Sequence, residues 1–340
     1  MPSSSTFRIG ITKPQSGFTL LELVLVLFIV ALIATTPLLF IDNQDNQIRY
    51  DETLQKMQMI RDAIIQRQEY RNQPVLSGFV IDNGVLPPAS TEGTLYSLIN
   101  YDPVEGTWLA SSDGDFWQVY GAITPYLKLD STAIELTGFS LNKGYRTSYI
   151  TKGLDSQNQL KDGWGNDFSI ITPDSSTGAL ENSYSVEFTS QEQPLYNNVV
   201  KSISSDDWMV SLDQIHIELI NNSTTSNAIG TVALLVFNNT DSTIDADRWN
   251  TFHYEATVPN STTSASGGIL QLGKQTSINA EWKLNNEASA ALPATKIPVG
   301  DHLVLFKQSG TADPITTPHD IIRVLPGSTQ PTVTLLVSPE

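Results

Sequence analysis

The sequence predicts an α+β protein. A long N-terminal helix, transmembrane at first and amphipathic after, packs on an antiparallel sheet, and an all-β immunoglobulin-like sandwich follows. Three observations predict it. An apolar stretch whose one charged residue is Glu22 runs from Phe18 to Ile41. An amphipathic stripe succeeds it. From about Trp208 onward the chain breaks into short alternating runs separated by Asn-, Ser-, Thr- and Gly-rich segments. The 340 residues exceed one average domain and leave room for two compact units besides the helix.

Hydrophobic residues make up 40% of the chain and charged residues 16%, which excludes a disordered polyelectrolyte and leaves an uncharged, hydroxyl- and amide-rich surface of extracytoplasmic type. The formal charge is −17, from 19 basic and 36 acidic residues, so a phosphate backbone would be repelled and nucleic acid is excluded as a partner. Cysteine is absent, which removes disulfides, thiolate metal sites and a cysteine nucleophile. The four histidines, His216, His253, His302 and His319, lack helical zinc-ligand spacing, and neither G-x-S-x-G nor a phosphate-cradling G-x-x-x-x-G-K-[ST] loop occurs. No nucleophile and base can be named, and the chain is not expected to be an enzyme.

The strongest signal lies at the N-terminus. Residues 1–17 are polar and carry Arg8 and Lys13 without an acid. The apolar run beyond them, at a rise of about 1.5 Å per residue, is long enough for a hydrocarbon core of about 30 Å. Positive charge before it and Asp42 and Asp45 after it place the N-terminus in the cytoplasm and the rest outside. A secretory signal has its small-residue cleavage site after the apolar core, whereas here Gly17 precedes it. A carboxylate inside an apolar helix costs at least about 2.5 kcal/mol. Glu22 therefore either finds a cationic partner or snorkels to the interface.

Lys13-Pro14-Gln15-Ser16-Gly17 followed by Phe18-Thr19-Leu20-Leu21-Glu22 resembles the class III signal of type IV pilins and of type II secretion pseudopilins. The resemblance implies cleavage between Gly17 and Phe18 by a prepilin peptidase, methylation of the new Phe18 amine, and pairing of Glu22 with that amine on a neighbouring subunit. It implies other pilins or pseudopilins as partners, together with the inner membrane and its assembly platform. The protein would be a single-pass inner-membrane protein with a periplasmic head, and then part of a filament.

The expected organisation is a leader at 1–17, a transmembrane helix at 18–41, an amphipathic helix at 42–72, a pilin-like head at 73–207 and a sandwich at 208–340. Pro37 should bend the helix. Tyr50, Leu54, Met57, Ile60 and Ile64 recur at helical steps, and Pro74 should end the helix near Asn72. Gly78 to Pro88 resembles the pseudopilin stretch in which the chain leaves the helix through an Asn-Gly turn, and Tyr145 to Ile150 the family's short Arg-containing segment. Lys161 to Phe168 is similar to the D-x-W-G-N turn of major pseudopilins, which makes Asp162, Trp164, Gly165 and Asn166 a structural motif anchored by the Trp. Ser205 to Ser211 resembles the segment that closes the family's calcium loop, with Asp206 and Asp207 as candidate Ca2+ ligands. The preceding Glu187 to Asn198 has no glycine, where the family has a Gly- and Asp-rich loop.

In the last third, Ile215, Ile217 and Leu219 alternate with polar residues, and further runs lie at Thr231 to Phe237, Thr251 to Val258, Gly268 to Leu272, Ser277 to Leu284, Asp301 to Phe306, Asp320 to Leu325 and Thr332 to Val337. Trp249, Phe252, Tyr254 and Trp282 are either core residues or an aromatic platform, with core filling the commoner outcome at strand positions. Asp241, Asp245 and Asp247 match no EF-hand spacing. The functional expectation is a pilin-like structural subunit, minor or at the tip because of its bulky head. The alternative is an adhesin or binding module that a pilin-type helix delivers to an exported substrate or a surface ligand.

Overall fold

The computed structural model describes residues 19–71, 73–87, 95–99, 118–129, 132–146, 148–171, 186–190, 199–239, 244–262, 268–272, 282–285, 296–310, 318–327 and 330–339. The class is α+β, with many strands and few helices among these residues. Contacts divide the chain into two units, Met1–Asp51 and Glu52–Glu340.

Helix α1 (Leu20–Ile64) supplies most of the first unit and opens the second. It stays helical through Pro37. Every large apolar side chain from Leu20 to Leu32 is exposed. Among the described residues no helix is long and apolar enough to cross a membrane, and the apolar run predicted to do so is described at side-chain level only up to Leu32.

Within the second unit, Thr53, Met57, Ile60 and Ile64 of α1 are fully buried, which continues the predicted stripe with Thr53 in the place of half-buried Leu54. Each of the three apolar members contributes about 1.5–3 kcal/mol by leaving water. The helix stops at Ile64 rather than near Asn72. Beyond Ile65 the sequence Gln-Arg-Gln-Glu has no apolar residue at helical spacing, and a helix without a face to bury is marginal. That segment instead forms β1 (Gln66–Tyr70), which pairs antiparallel with β2 (Gln73–Ser77). Pro74 is thus extended, as the proline rule requires, but it sits in a hairpin that starts after the helix has ended.

Short elements follow: α2 (Phe79–Asn83), α3 (Tyr96–Ile99), β3 (Gly121–Ile123), β4 (Tyr126–Leu127), β5 (Ile134–Glu135), β6 (Leu141–Lys143), β7 (Ser169–Ile171), β8 (Val186–Thr189), β9 (Val200–Ile203) and α4 (Ser205–Trp208). Gly84 ends α2 at φ 70, and a Cβ there would lie 1.8 Å from the Phe237 carbonyl oxygen. A side chain is excluded on both counts. Next to it Asn239 donates its amide N–H to the Asn83 carbonyl at 2.7 Å and its Nδ2 to Asn83 Oδ1 at 2.8 Å.

The last third contains β10 (Met209–Ser211), β11 (His216–Asn221), β12 (Ala228–Phe237), β13 (Trp249–Val258), β14 (Ile269–Leu272), β15 (Lys283–Leu284), β16 (Lys296–Pro298), β17 (Gly300–Gln308), β18 (His319–Val324) and β19 (Thr332–Val337). A three-stranded sheet has the order β14-β11-β19 and a five-stranded sheet the order β15-β13-β12-β17-β18. The ladders are antiparallel except β11 with β19, which run parallel. Alternation in β11 and β19 buries Ile217, Leu219, Val333, Leu335 and Val337 in one core with Val232, Leu234, Val236, Val304, Ile322 and Val324 of the larger sheet.

The larger sheet is covered on its other face as well. Ala233, Leu235 and Phe237 of β12 join Trp249, Leu303 and Leu305 in a second cluster, which Leu127, Leu136, Phe139 and Leu141 complete. The middle of the chain therefore roofs the sheet formed by the last third. Trp249, Phe252 and Trp282 are buried, so the core reading of the aromatics holds for them, while Tyr254 is half-buried. The amide of Asn221 is spent on the carbonyls of Ser226 and Val258, and Asn260 is buried.

Leu235→Ala tests the roof. Truncation of a side chain buried on that second face should cost about 2–5 kcal/mol in denaturant unfolding of the full chain. A loss below about 0.5 kcal/mol, as on an open surface, would show the face uncovered.

Candidate functional site

Gly17 and Phe18 lie outside the described residues. The structure begins at Thr19, which caps α1 as its last non-helical residue. Thr19 donates its backbone N–H to Glu22 Oε2 at 3.0 Å and its hydroxyl to the same oxygen at 3.2 Å, while Glu22 N–H donates to Thr19 Oγ1 at 3.3 Å. This is a capping box, with Glu22 at the third helical position. Thr-x-x-Glu ahead of an apolar run is the signature of that cap, so Thr19 belongs with the site residues beside the expected Glu22. Glu22 thus has a local role in the isolated chain, and its negative charge favours the positive end of the helix dipole.

The segment beyond the cap offers nothing but apolar side chains to its surroundings from Leu23 to Val30. Residues 12–36 match the family described as the prokaryotic N-terminal methylation motif. The chain carries a class III prepilin signal. It is consistent with the type IV pilin and pseudopilin family, and it implies a membrane-anchored precursor that a prepilin peptidase processes and that assembles with other pilins. No curated protein and no solved structure matches the chain.

In the second unit the chain gathers Asp162, Trp164, Gly165 and Asn166 into one turn. Buried Asp162 accepts from the backbone N–H groups of Trp164 and Asn166 at 2.8 Å each, and from Asn166 Nδ2 at 3.3 Å. Gly165 takes φ 88. The turn docks on α1 through Gly163 N–H, which donates to buried Thr53 Oγ1 at 2.9 Å. Trp164 is half-buried, and it is Phe168 that enters the core.

Asp206 and Asp207 lie on α4 and face different cations. Asp206 is exposed and takes Lys296 Nζ at 2.6 Å, a bond that with the lysine's charge holds its carboxyl below the usual carboxylate range. Asp207 accepts from Ser204 N–H and hydroxyl at 2.8 and 2.9 Å and meets Arg61 of α1 at 3.3 Å. A calcium ion here would have to displace both cations, and the pair falls well short of the six to eight oxygens calcium takes. Among the described residues no three His, Asp or Glu side chains gather to hold a metal. Asp245 pairs with Arg248 at 2.5 Å.

An ionic cluster that the sequence did not announce joins α2 to the segment after β6. Asp82 is buried and accepts from Arg146 Nε at 2.8 Å and from the Tyr149 hydroxyl at 3.1 Å. Arg146 also stacks 3.9 Å above the Tyr120 ring and donates to its hydroxyl at 2.8 Å. Lys143, buried nearby, donates to the Ile81 carbonyl at 2.7 Å. Burial dominates here. It pushes Asp82 up to about 6 against the pull of Arg146, and Lys143 down to about 8 against Asp301 and Asp82.

A folded-state value above the unfolded 3.8 means that the folded head binds the Asp82 proton more tightly. Its contribution to stability is fully present below about pH 3.8 and is lost as pH rises through about 6. Melting curves between pH 4 and 7 should show this component, worth at most about 3 kcal/mol. Asp82→Asn should flatten it. A wild-type slope retained in that variant would assign the titration to another group.

Proposed function

We propose that this chain is a pilin-like structural subunit, held in the inner membrane by the Phe18–Ile41 helix with its N-terminus cytoplasmic and its head periplasmic. A prepilin peptidase cuts after Gly17 and methylates Phe18. The mature chain then enters a type IV pilus or a type II secretion pseudopilus through helix-on-helix packing. The match to the methylation motif over residues 12–36 is the observation that carries this reading. The motif speaks for a structural role rather than for catalysis.

The exposed Leu20–Leu32 face supports the assembly step, because apolar helices leaving lipid pack by close van der Waals contact and need a polar pair to fix their register. Glu22 with the Phe18 amine of a neighbour is that pair. The large head favours a minor or tip position, since bulk hinders dense helical packing. Two sheets that share an alternating core support an immunoglobulin-like sandwich as the finer description of the last third.

Glu22 has two roles to separate, capping and charge. Glu22→Gln keeps a side chain able to complete the capping box and removes the charge, whereas Glu22→Ala removes both. Both variants should insert into the membrane and both should be missing from filaments. Incorporation of the Gln variant at the wild-type level would reduce Glu22 to a helix cap. Mass spectrometry of filament protein should find a methylated Phe18 as the first residue, and a retained leader would overturn the processing step.

A further inference from the structure

The roof over the five-stranded sheet reaches only part of its face. Leu127 lies over the end of β12 near Leu235, and Lys128 N–H donates to Thr251 Oγ1 at 2.9 Å. Beyond Leu129 the same face continues through residues that pair in register across neighbouring strands. Thr231 stands opposite both Glu255 and Lys307, and His253 stands opposite Lys283. Leu129, Thr231, His253, Glu255, Lys307 and Gln308 line a small open cleft of about 190 Å³ there.

Three features mark this cleft as built for a ligand. His253 is 93% buried by its 7% exposure, yet its Nδ1 has no hydrogen-bond partner, although buried polar atoms nearly always have one. Lys307 in the cleft and Lys283, which stands beside the cleft opposite His253, form no ion pair among the described residues, in a chain whose formal charge is −17. Glu255 accepts from the Thr231 hydroxyl at 3.1 Å and keeps a second oxygen for another donor. The ammonium groups and the imidazole call for an acceptor with negative charge. The carboxylate, the hydroxyl and the Gln308 amide suit hydroxyl groups. Burial and the nearby Lys283 lower the His253 pKa, so its ring is neutral at neutral pH, with one nitrogen to donate and one to accept.

We propose that this cleft binds an acidic sugar, its carboxylate between Lys283 and Lys307 and its hydroxyls on His253, Glu255 and Thr231. The site is independent of the assembly reading, because none of these residues belongs to α1.

Calorimetric titration of the full chain in detergent with sodium glucuronate tests it, with glucose supplying hydroxyls alone and acetate supplying a carboxylate alone. Glucuronate should bind about tenfold or more tightly than either, since each partial ligand leaves charged or polar groups unmatched. Lys283→Gln combined with Lys307→Gln should weaken glucuronate binding by about ten- to a hundredfold at an unchanged melting temperature. Should the double variant melt early, the half-exposed Lys307→Gln is read alone, with a loss of about tenfold. Glucuronate binding should also shift the His253 imidazole signals in NMR spectra. Absence of glucuronate binding, equal affinity for glucose or acetate, or lysine variants that bind as the wild type each overturn the proposal.

Discussion

From Val232 to Phe237 the strand Ala228–Phe237 has no face to give to water. Its odd and even residues enter two different hydrophobic clusters, and its edges are occupied by Trp249–Val258 on one side and Gly300–Gln308 on the other. A strand in that position must be covered twice. One cover is the small sheet of β14, β11 and β19, and the other comes from Ile123 to Leu141 in the middle of the chain. Much else follows from this constraint. Gly84 is required because α2 abuts the end of the strand, and the Asn83–Asn239 amide pair seals the polar groups where the strand leaves the core. Glu52–Glu340 forms one compact unit.

The two units use apolar surface in opposite ways. In the second, the apolar stripe of α1 is consumed by the protein's own core, with Met57, Ile60 and Ile64 fully buried. In the first, the same helix keeps its apolar side chains outward on all sides, which no water-exposed helix does without another phase or another chain to take them up. The methylation motif covers that outward segment. A helix apolar all round at one end and one-sided at the other thus encodes two environments along a single continuous element.

Much of this was legible in the residues. Single-face alternation placed His216–Asn221 and Thr332–Val337, because each strand packs one side only and period two survives in the sequence. Beginnings and ends of α1 were less legible. Pro74 marks an extended residue, but the actual stop depends on the lack of an apolar face after Ile65, a tertiary criterion. The double cover of Val232–Phe237 is the requirement behind an almost unbroken apolar run, which departs from the alternation expected of it. Asp82, Lys143 and Arg146 were illegible as a group. Asp82 lies far from the other two in sequence, and only the chain's path brings it to them in one desolvated site where opposite charges meet.

The capping box alters the energetics of the proposed register pair. In the isolated chain the Glu22 carboxylate is not bare, since it already holds the amide and hydroxyl of Thr19. Pairing with a neighbour's ammonium is therefore an exchange or a sharing of bonds rather than the rescue of an unpaired charge, and its net gain is smaller than the full desolvation cost of the carboxylate would indicate. Two oxygens with about four lone-pair directions suffice for sharing, because both bonds from Thr19 use Oε2 and Oε1 can receive a further donor. The cap orients the carboxylate and lowers the entropy lost on pairing. A threonine at the second position after the proposed cleavage point and an acid three residues later would then act as one device, the first holding the second in the geometry in which an incoming amine can find it.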